Sequence, residues 1–418
     1  MKLIRRKMSS KLPQKLLHLG MGVILFVTSL SMVPLIPVTG QQGTPDLTPP
    51  IQSGLSSEDK VDQNYPATPF RAFLPEIQNG AFFTGSSRLP LLVGVYPSGW
   101  PGTTPLYTDE LAPLDQWLTG STSKRSVSLI GYFVYFSEYD DNHVANVFNL
   151  MWNHGYTPFV NVNFPPGVTA NSVANGTSHD AEITNWARSF KIFAQNGDRF
   201  AFIAPMQEMN GYWVDYGRDP VNFKKAYAKI QRIFKSVGVP DSSVSWVFAP
   251  NGWGRPTDPP FEDYYPGDAT VNVVAISAYN FGGCPAKGAP GWQDPPKVFN
   301  DSAPGKVYGY YLNRLRAMAP AKPIFIAQTA TTNYYGSGIN EAMKDAWLSD
   351  AYNYLKAQAN VMGVVYYEYS SPKCNFAFFG PGVKYQYNGL KNVISQVPYG
   401  YSAPADVMAT ATFFSNTP

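Results

Sequence analysis

Two apolar runs end in residues that could face each other across a sugar. Ala204-Pro205-Met206-Gln207-Glu208-Met209-Asn210-Gly211-Tyr212-Trp213 delivers a carboxylate, then a tight turn, then aromatic rings. Lys322-Pro323-Ile324-Phe325-Ile326-Ala327-Gln328-Thr329-Ala330 is a similar run whose polar end is an amide. Retaining glycosidic cleavage uses two facing carboxyl groups, one as acid/base and one as nucleophile. Glu208 suits the first role, and Gln328 occupies the position of the second. A carboxyl walled by Met206, Met209 and Trp213 should be partly desolvated, which raises its pKa as a general acid requires. The competing reading is a buried Glu paired with Arg or Lys on a neighbouring strand. The adjacent strand ends offer no basic partner, which favours the chemical reading.

Rings that could stack on sugar faces recur near other run ends: Tyr96, Trp100, Trp213, Tyr216, Trp253, Tyr279 and Tyr334. Each alone is more often packing than ligand contact, but their shared location at one rim is a signal. Aromatic residues make up 15% of the chain, ample for both uses, whereas charged residues at 15% are too sparse for a nucleic-acid binder. His143, His154 and His179 lack metal-ligand spacing, so neither metal nor cofactor is expected. No serine nucleophile elbow and no phosphate-cradling loop is present, and Asn175-Gly176-Thr177 matches a glycosylation sequon.

These groups need a scaffold that gathers strand ends. Eight short apolar runs read as strands: Leu91–Tyr96, Val127–Phe136, Thr157–Val162, Phe200–Met206, Val244–Ala249, Val271–Ala278, Pro323–Ala327 and Met362–Tyr367. Between and after them lie amphipathic stretches at Ala145–His154, Ala181–Gln195, Pro220–Val237, Lys306–Met318, Gly338–Gln358 and Leu390–Val397. Asp219-Pro220 supplies a helix cap and first turn. This alternation predicts an α/β fold, a (β/α)8 TIM barrel forming one domain, with chemistry at the C-terminal strand ends. The alternative, a doubly wound open sheet, lacks a glycine-rich turn after its first strand. The long aromatic segment Asn251–Thr270 should be a rim loop.

Residues 1–40 read as an export signal, with Lys2, Arg5, Arg6, Lys7, Lys11 and Lys15 ahead of the apolar run Leu16–Val38. An uncleaved membrane anchor is the rival. Without these residues the formal charge falls from +3 to −3. Residues 41–66 read as a flexible linker, 67–398 as the barrel and 399–418 as a loose tail. Cys284 and Cys374 could form one bridge in an exported chain or remain thiols.

The motif Gln207-Glu208-Met209-Asn210-Gly211 with Trp213 resembles the acid/base segment of glycoside hydrolase family 26. Tyr264-Tyr265-Pro266-Gly267-Asp268 with Val271–Tyr279, then Lys322-Pro323, Lys344 and Trp347, continue the resemblance from about Leu91 to Val397. That family comprises secreted endo-β-mannanases, some β-1,3-xylanases and mixed-linkage β-glucanases on (β/α)8 barrels. The resemblance implies Glu208 as acid/base, Trp213 as a sugar platform and Tyr279 as the tyrosine orienting the nucleophile. Gln207, Asn210, Trp253, Tyr96 and Tyr367 join them as candidate substrate contacts. Three positions depart from the family: Gln207 replaces a usual His, Gln328 replaces the nucleophilic Glu, and Tyr366-Tyr367-Glu368-Tyr369 stands where a tryptophan platform is common.

Three functional readings follow. One is an exported, monomeric β-glycan-binding pseudoenzyme that retains the groove but not efficient double displacement. Another is an active β-glycanase with relocated chemistry, using Glu368 or, failing that, Glu138 or Asp140 beyond the second strand. The third is a surface scaffold that binds no sugar. No nucleic acid is expected as a partner, and the membrane is met only through the export segment.

Overall fold

The computed structural model describes residues 91–138, 142–255, 257–300, 309–369, 374–380, 382–396 and 401–416. The export segment, the linker, the expected start of the barrel domain at residue 67 and Asp140 lie outside these residues. Eight parallel strands close into a barrel in chain order: β1 (Leu92–Tyr96), β2 (Val127–Tyr135), β3 (Thr157–Asn163), β4 (Ala201–Pro205), β5 (Val244–Phe248), β6 (Val273–Asn280), β7 (Ile324–Thr331) and β8 (Val361–Tyr367). β8 closes on β1 in unbroken register from Leu92↔Gly363 to Tyr96↔Tyr367. The expected (β/α)8 architecture is therefore the observed one.

The helices α1 (Ala112–Thr119), α2 (His143–Asn153), α3 (Ala170–Asn175), α4 (Asp180–Ala194), α5 (Pro220–Val237), α6 (Pro295–Asn300), α7 (Tyr311–Met318), α8 (Glu341–Ala357) and α9 (Asn388–Ile394) follow the strands. Side-chain alternation gives the barrel two cores. Leu92, Leu129, Phe159, Phe202, Val247, Ala275, Phe325 and Val365 fill the interior. Phe202 lies with its ring centroid 5.8 Å from that of Phe159 and 5.0 Å from that of Phe325, so three strands meet at one aromatic cluster. Val93, Ile130, Val160, Ile203, Val274, Ile326 and Val364 point the other way, into the strand–helix layer.

Helix ends follow their sequence signals. Asp219 Oδ1 accepts the Asn222 N–H at the start of α5, and Asn340 Oδ1 accepts the Met343 N–H at the start of α8. α1 and the helical turn Leu106–Leu111 before it were not anticipated. They bury Leu106, Tyr107, Leu111, Leu114 and Leu118, and the buried Asp115 carboxylate accepts the N–H groups of Ser126 and Val127 at the start of β2.

The C-terminal stretch differs from the expected loose tail. Pro404–Asn416 forms α10, whose Val407 and Ala411 are buried against the interior core beside Phe200. The helix contacts β5 and the turn Asp241–Ser243 before it, so it covers the N-terminal end of the barrel. Its apolar residues gain burial that the tail's polar, Pro-containing lead-in concealed. Cys284 and Cys374 are disulfide-bonded, joining the loop after β6 to the loop after β8. No helix among the described residues is long and apolar enough to cross a membrane.

Candidate functional site

The chain leaves β4 through a strained turn. Met206 and Glu208 both adopt left-handed backbone conformations, with φ of 55° and 57°. Such conformations are disfavoured for residues with a Cβ and persist where surroundings over-determine them. Here the Glu208 N–H donates to Ala249 O at 2.8 Å, tying the turn to the end of β5. The Glu208 carboxylate is held at both oxygens: Asn251 Nδ2 donates to Oε1 and Trp213 Nε1 donates to Oε2, each at 2.9 Å. A Cβ on Gly211 would lie 2.4 Å from the Trp213 indole, so glycine is what lets that ring fold back over the turn. Burial pushes the Glu208 carboxyl above its ordinary pKa, more than the Asn251 and Trp213 hydrogen bonds and the nearby Lys287 charge pull it down.

Gln328 stands on β7. Strict alternation from Phe325 and Ala327, which face the interior, would turn residue 328 outward. β7, however, carries one extra residue relative to both neighbours. Ile326 pairs with Ile276 and Gln328 with Ser277 on one side, while Ile326 pairs with Val364 and Thr329 with Tyr366 on the other. This bulge re-aims Gln328 into the rim. Its Oε1 accepts the Tyr279 hydroxyl at 2.8 Å, and its Nε2 donates to Gln207 Oε1 at 2.8 Å. Gln207 in turn is fixed from behind, its N–H bonded to Asn163 Oδ1 and its carbonyl accepting the Tyr216 hydroxyl. Glu208, Gln207, Gln328 and Tyr279 are therefore one assembly.

β8 has no such irregularity against β1, and Glu368 keeps the outward phase of Tyr366. Its Oε1 accepts the N–H groups of Phe378 and Phe379 at 2.7 and 2.8 Å. Its charged neighbour is Lys344 of α8, whose Nζ donates to the carbonyls of Asn375 and Ala377. Burial raises the Glu368 carboxyl and lowers the Lys344 ammonium, each opposed by the other's charge. Through its bonds to Phe378 and Phe379, Glu368 anchors the loop after β8. Glu138 likewise bonds its own turn, accepting the Tyr135 N–H.

The ring candidates divide. Trp213 and Trp253 lie 5.9 Å apart between centroids at the rim, with Tyr212 edge-on to both. Tyr279 stacks on Phe281 at 5.4 Å, and Tyr367 lies 6.1 Å from Tyr96. Tyr96 and Tyr216 are buried, at 3% and 2% exposure, with their hydroxyls engaged, and so form the floor. Asn210 is also structural: its amide exchanges two hydrogen bonds with the Asn251 backbone. His143 stacks near Trp100, His154 on Tyr107, and His179 bonds Glu182. Among the described residues no group of three His, Cys, Asp or Glu is disposed to hold a metal ion.

Three participants escaped the sequence reading. Asn251 was signalled only by its position directly after the fifth strand. Phe281 and Lys287 sit on the loop after β6, and Lys287 is a basic neighbour of Glu208 that no strand end announced. A hollow of about 750 Å³ between α4 and the end of α5, lined by Arg188, Lys191 and Ser236, is on the outer helix layer and away from this assembly.

The closed parallel barrel thus carries a buried carboxyl group and stacked rings at its C-terminal rim. No family model matches the chain. Endoglucanase H of Acetivibrio thermocellus is 26% identical over 281 residues, covering 64% of this chain but only 27% of that protein. The chain thus spans about a quarter of the length of the curated relative it matches. A modular endo-β-1,4-mannanase of glycoside hydrolase family 26 from Cellulomonas fimi is similar in structure, with TM-score 0.51 and 15% identity over 76% of this chain and 72% of that one. A family 26 β-mannanase from Bacteroides ovatus has TM-score 0.50 and 13% identity over 76% and 92%. At these identities the structural likeness is one of fold, and the family 26 resemblance drawn from the residues holds at that level.

Proposed function

We propose that the protein is exported and, as a monomer, binds a β-linked polysaccharide or oligosaccharide in the groove across its C-terminal rim. Glu208 is the proton donor to the glycosidic oxygen, and Trp213, Trp253, Tyr279 and Tyr367 are the rings that meet the sugar. The endoglucanase and endo-β-1,4-mannanase names of its relatives support the substrate class. The observation that carries the reading is Gln328, clasped between Tyr279 and Gln207 beside the acid Glu208.

Gln328 also determines what the groove does poorly. A neutral amide oxygen is a weak nucleophile toward an anomeric carbon and provides no charge against an oxocarbenium-like transition state. Each tenfold loss of rate corresponds to about 1.4 kcal/mol, and losing a nucleophile costs several such factors. The protein therefore holds glycan without efficient double displacement. Thermal shift and calorimetry against β-mannan, β-xylan and mixed-linkage β-glucan oligosaccharides test this. Binding without product release is the expected result. No binding to any of the three at millimolar concentration would leave the scaffold reading in its place, and rapid cleavage by the unaltered chain would show that the acid has another partner.

A further inference from the structure

Replacing a carboxylate by Gln328 changes the electrostatic character of the cleft. A retaining pair presents two acids to the sugar; here Glu208 remains and its counterpart is neutral. The rim instead carries a cation. Lys287 lies on the loop after β6, half-buried, with its Nζ 5.4 Å from the centre of the Phe281 ring. Phe281 stacks on Tyr279, which bonds Gln328, so the ammonium stands one ring beyond the substituted position.

Among the described residues the Lys287 ammonium has no hydrogen bond and no ion pair. Its charged neighbour is Glu208, which acts on it through space without ion-pair contact. Partial burial penalises the Lys287 charge. A cation kept so near the acid also opposes an oxocarbenium-like state, which is positively charged, whereas it favours an anionic ligand. The loop that carries it is firmly built. Gly283 approaches the Gly336 backbone so closely that a Cβ would lie 1.7 Å from its carbonyl oxygen, and Cys284 is bridged to Cys374. Arg255, over the Tyr212 ring at 3.7 Å, adds a second cation beside Trp253, although its own backbone N–H is bonded to Asp258.

We propose that Lys287 forms an anion-accepting subsite that recognises the carboxylate of a uronic acid residue in a β-linked glycan. The inference rests on the glycan-binding reading above and narrows its substrate class. A uronate keeps the ring and linkage of the neutral sugar and changes only its hydroxymethyl group to a carboxylate, so ring stacking and charge recognition operate together.

The test is calorimetry at about pH 7, where an ordinary lysine is charged, with two matched pairs of tetrasaccharides. These are β-1,4-mannuronate against β-1,4-mannotetraose, and β-1,4-glucuronate against cellotetraose. The expected result is that one acidic member binds about tenfold or more tightly than its neutral partner, and that the ratio shrinks as salt is added. Lys287→Met should bring the ratio to within about twofold, and Lys287→Arg should keep it, since charge-assisted recognition needs the cation and not the lysine stem. Equal binding of acid and neutral members overturns the subsite while leaving glycan binding intact, as does a preference that survives in Lys287→Met. No binding by any of the four overturns both readings. Should Lys287→Met fold poorly, the wild-type ratio and its salt dependence decide alone.

Discussion

Gln328 Nε2 donates to Gln207 Oε1 at 2.8 Å, linking the ends of β7 and β4 across the barrel mouth. Two amides can satisfy each other in this way with no charge present. A carboxylate at residue 328 would instead present an acceptor to Gln207, whose amide can rotate to donate its NH2 group. The assembly can therefore accept a carboxylate at residue 328 by rotation of the Gln207 amide alone.

Gln328→Glu is accordingly expected to raise hydrolysis of at least one of β-mannan, β-xylan or mixed-linkage β-glucan by about a hundredfold or more, each factor of ten being about 1.4 kcal/mol. Reducing-end release measures it. No gain on all three glycans would count against a merely disarmed cleft.

The pH profile of that variant follows from Glu208. A general acid must be protonated, and burial holds the Glu208 carboxyl above its ordinary pKa. The alkaline limb of kcat/KM should lie above the usual carboxylate range, and the new carboxylate at 328 pushes it higher still. Trp213→Phe removes a donor that stabilises the charged form. It should therefore move that limb upward; a downward shift would contradict the hydrogen bond's assigned effect.

Tyr279→Phe in the Gln328→Glu background removes the hydroxyl that reaches residue 328. The expected loss is about ten- to a hundredfold in kcat with KM nearly unchanged, because the ring and its stacking remain. Steady-state kinetics separates the two. A rise in KM alone would assign Tyr279 to sugar binding only.

Glu368→Gln in the same background should leave turnover within about twofold, since Glu368 serves the backbone of Phe378 and Phe379 and not the cleft. Glu368→Ala should cost about 1–3 kcal/mol in denaturant unfolding, the penalty for buried donors left without a partner. Loss of turnover in a fully folded Glu368→Gln protein would favour the relocated-chemistry reading.

Paired replacement of Cys284 and Cys374 by Ala removes a cross-link between residues 90 apart in sequence. A closed loop of that order is worth about 2–5 kcal/mol of stability, read by chemical denaturation. Glycan affinity should fall as well, because the bridged segments carry Lys287 and Phe376, and Phe376 lies 6.3 Å from Tyr279. Unchanged affinity would separate the bridge from the groove.

Periodicity and residue type determined much of this protein. Eight apolar runs with intervening amphipathic stretches specify a barrel, because a two-residue period and a helical period bury different faces of the chain. The dipeptide Gln207-Glu208, followed by Gly211 and Trp213, marked the buried carboxyl and its turn. Only the tertiary structure decided where the side chains of the other strand ends point. Gln328 faces the cleft because β7 bulges just before it, while Glu368 faces away because β8 runs in unbroken register with β1 from Gly363 to Tyr367, and a bulge leaves no trace in local alternation. Asn251 bonds Glu208 and Lys287 acts on it through space, both from loops distant in the chain that barrel closure and the Cys284–Cys374 bridge hold in place. α10 likewise declares itself only where Val407 and Ala411 find the open end of the interior core. Local sequence encodes period and turn chemistry; long-range closure selects which of those residues meet.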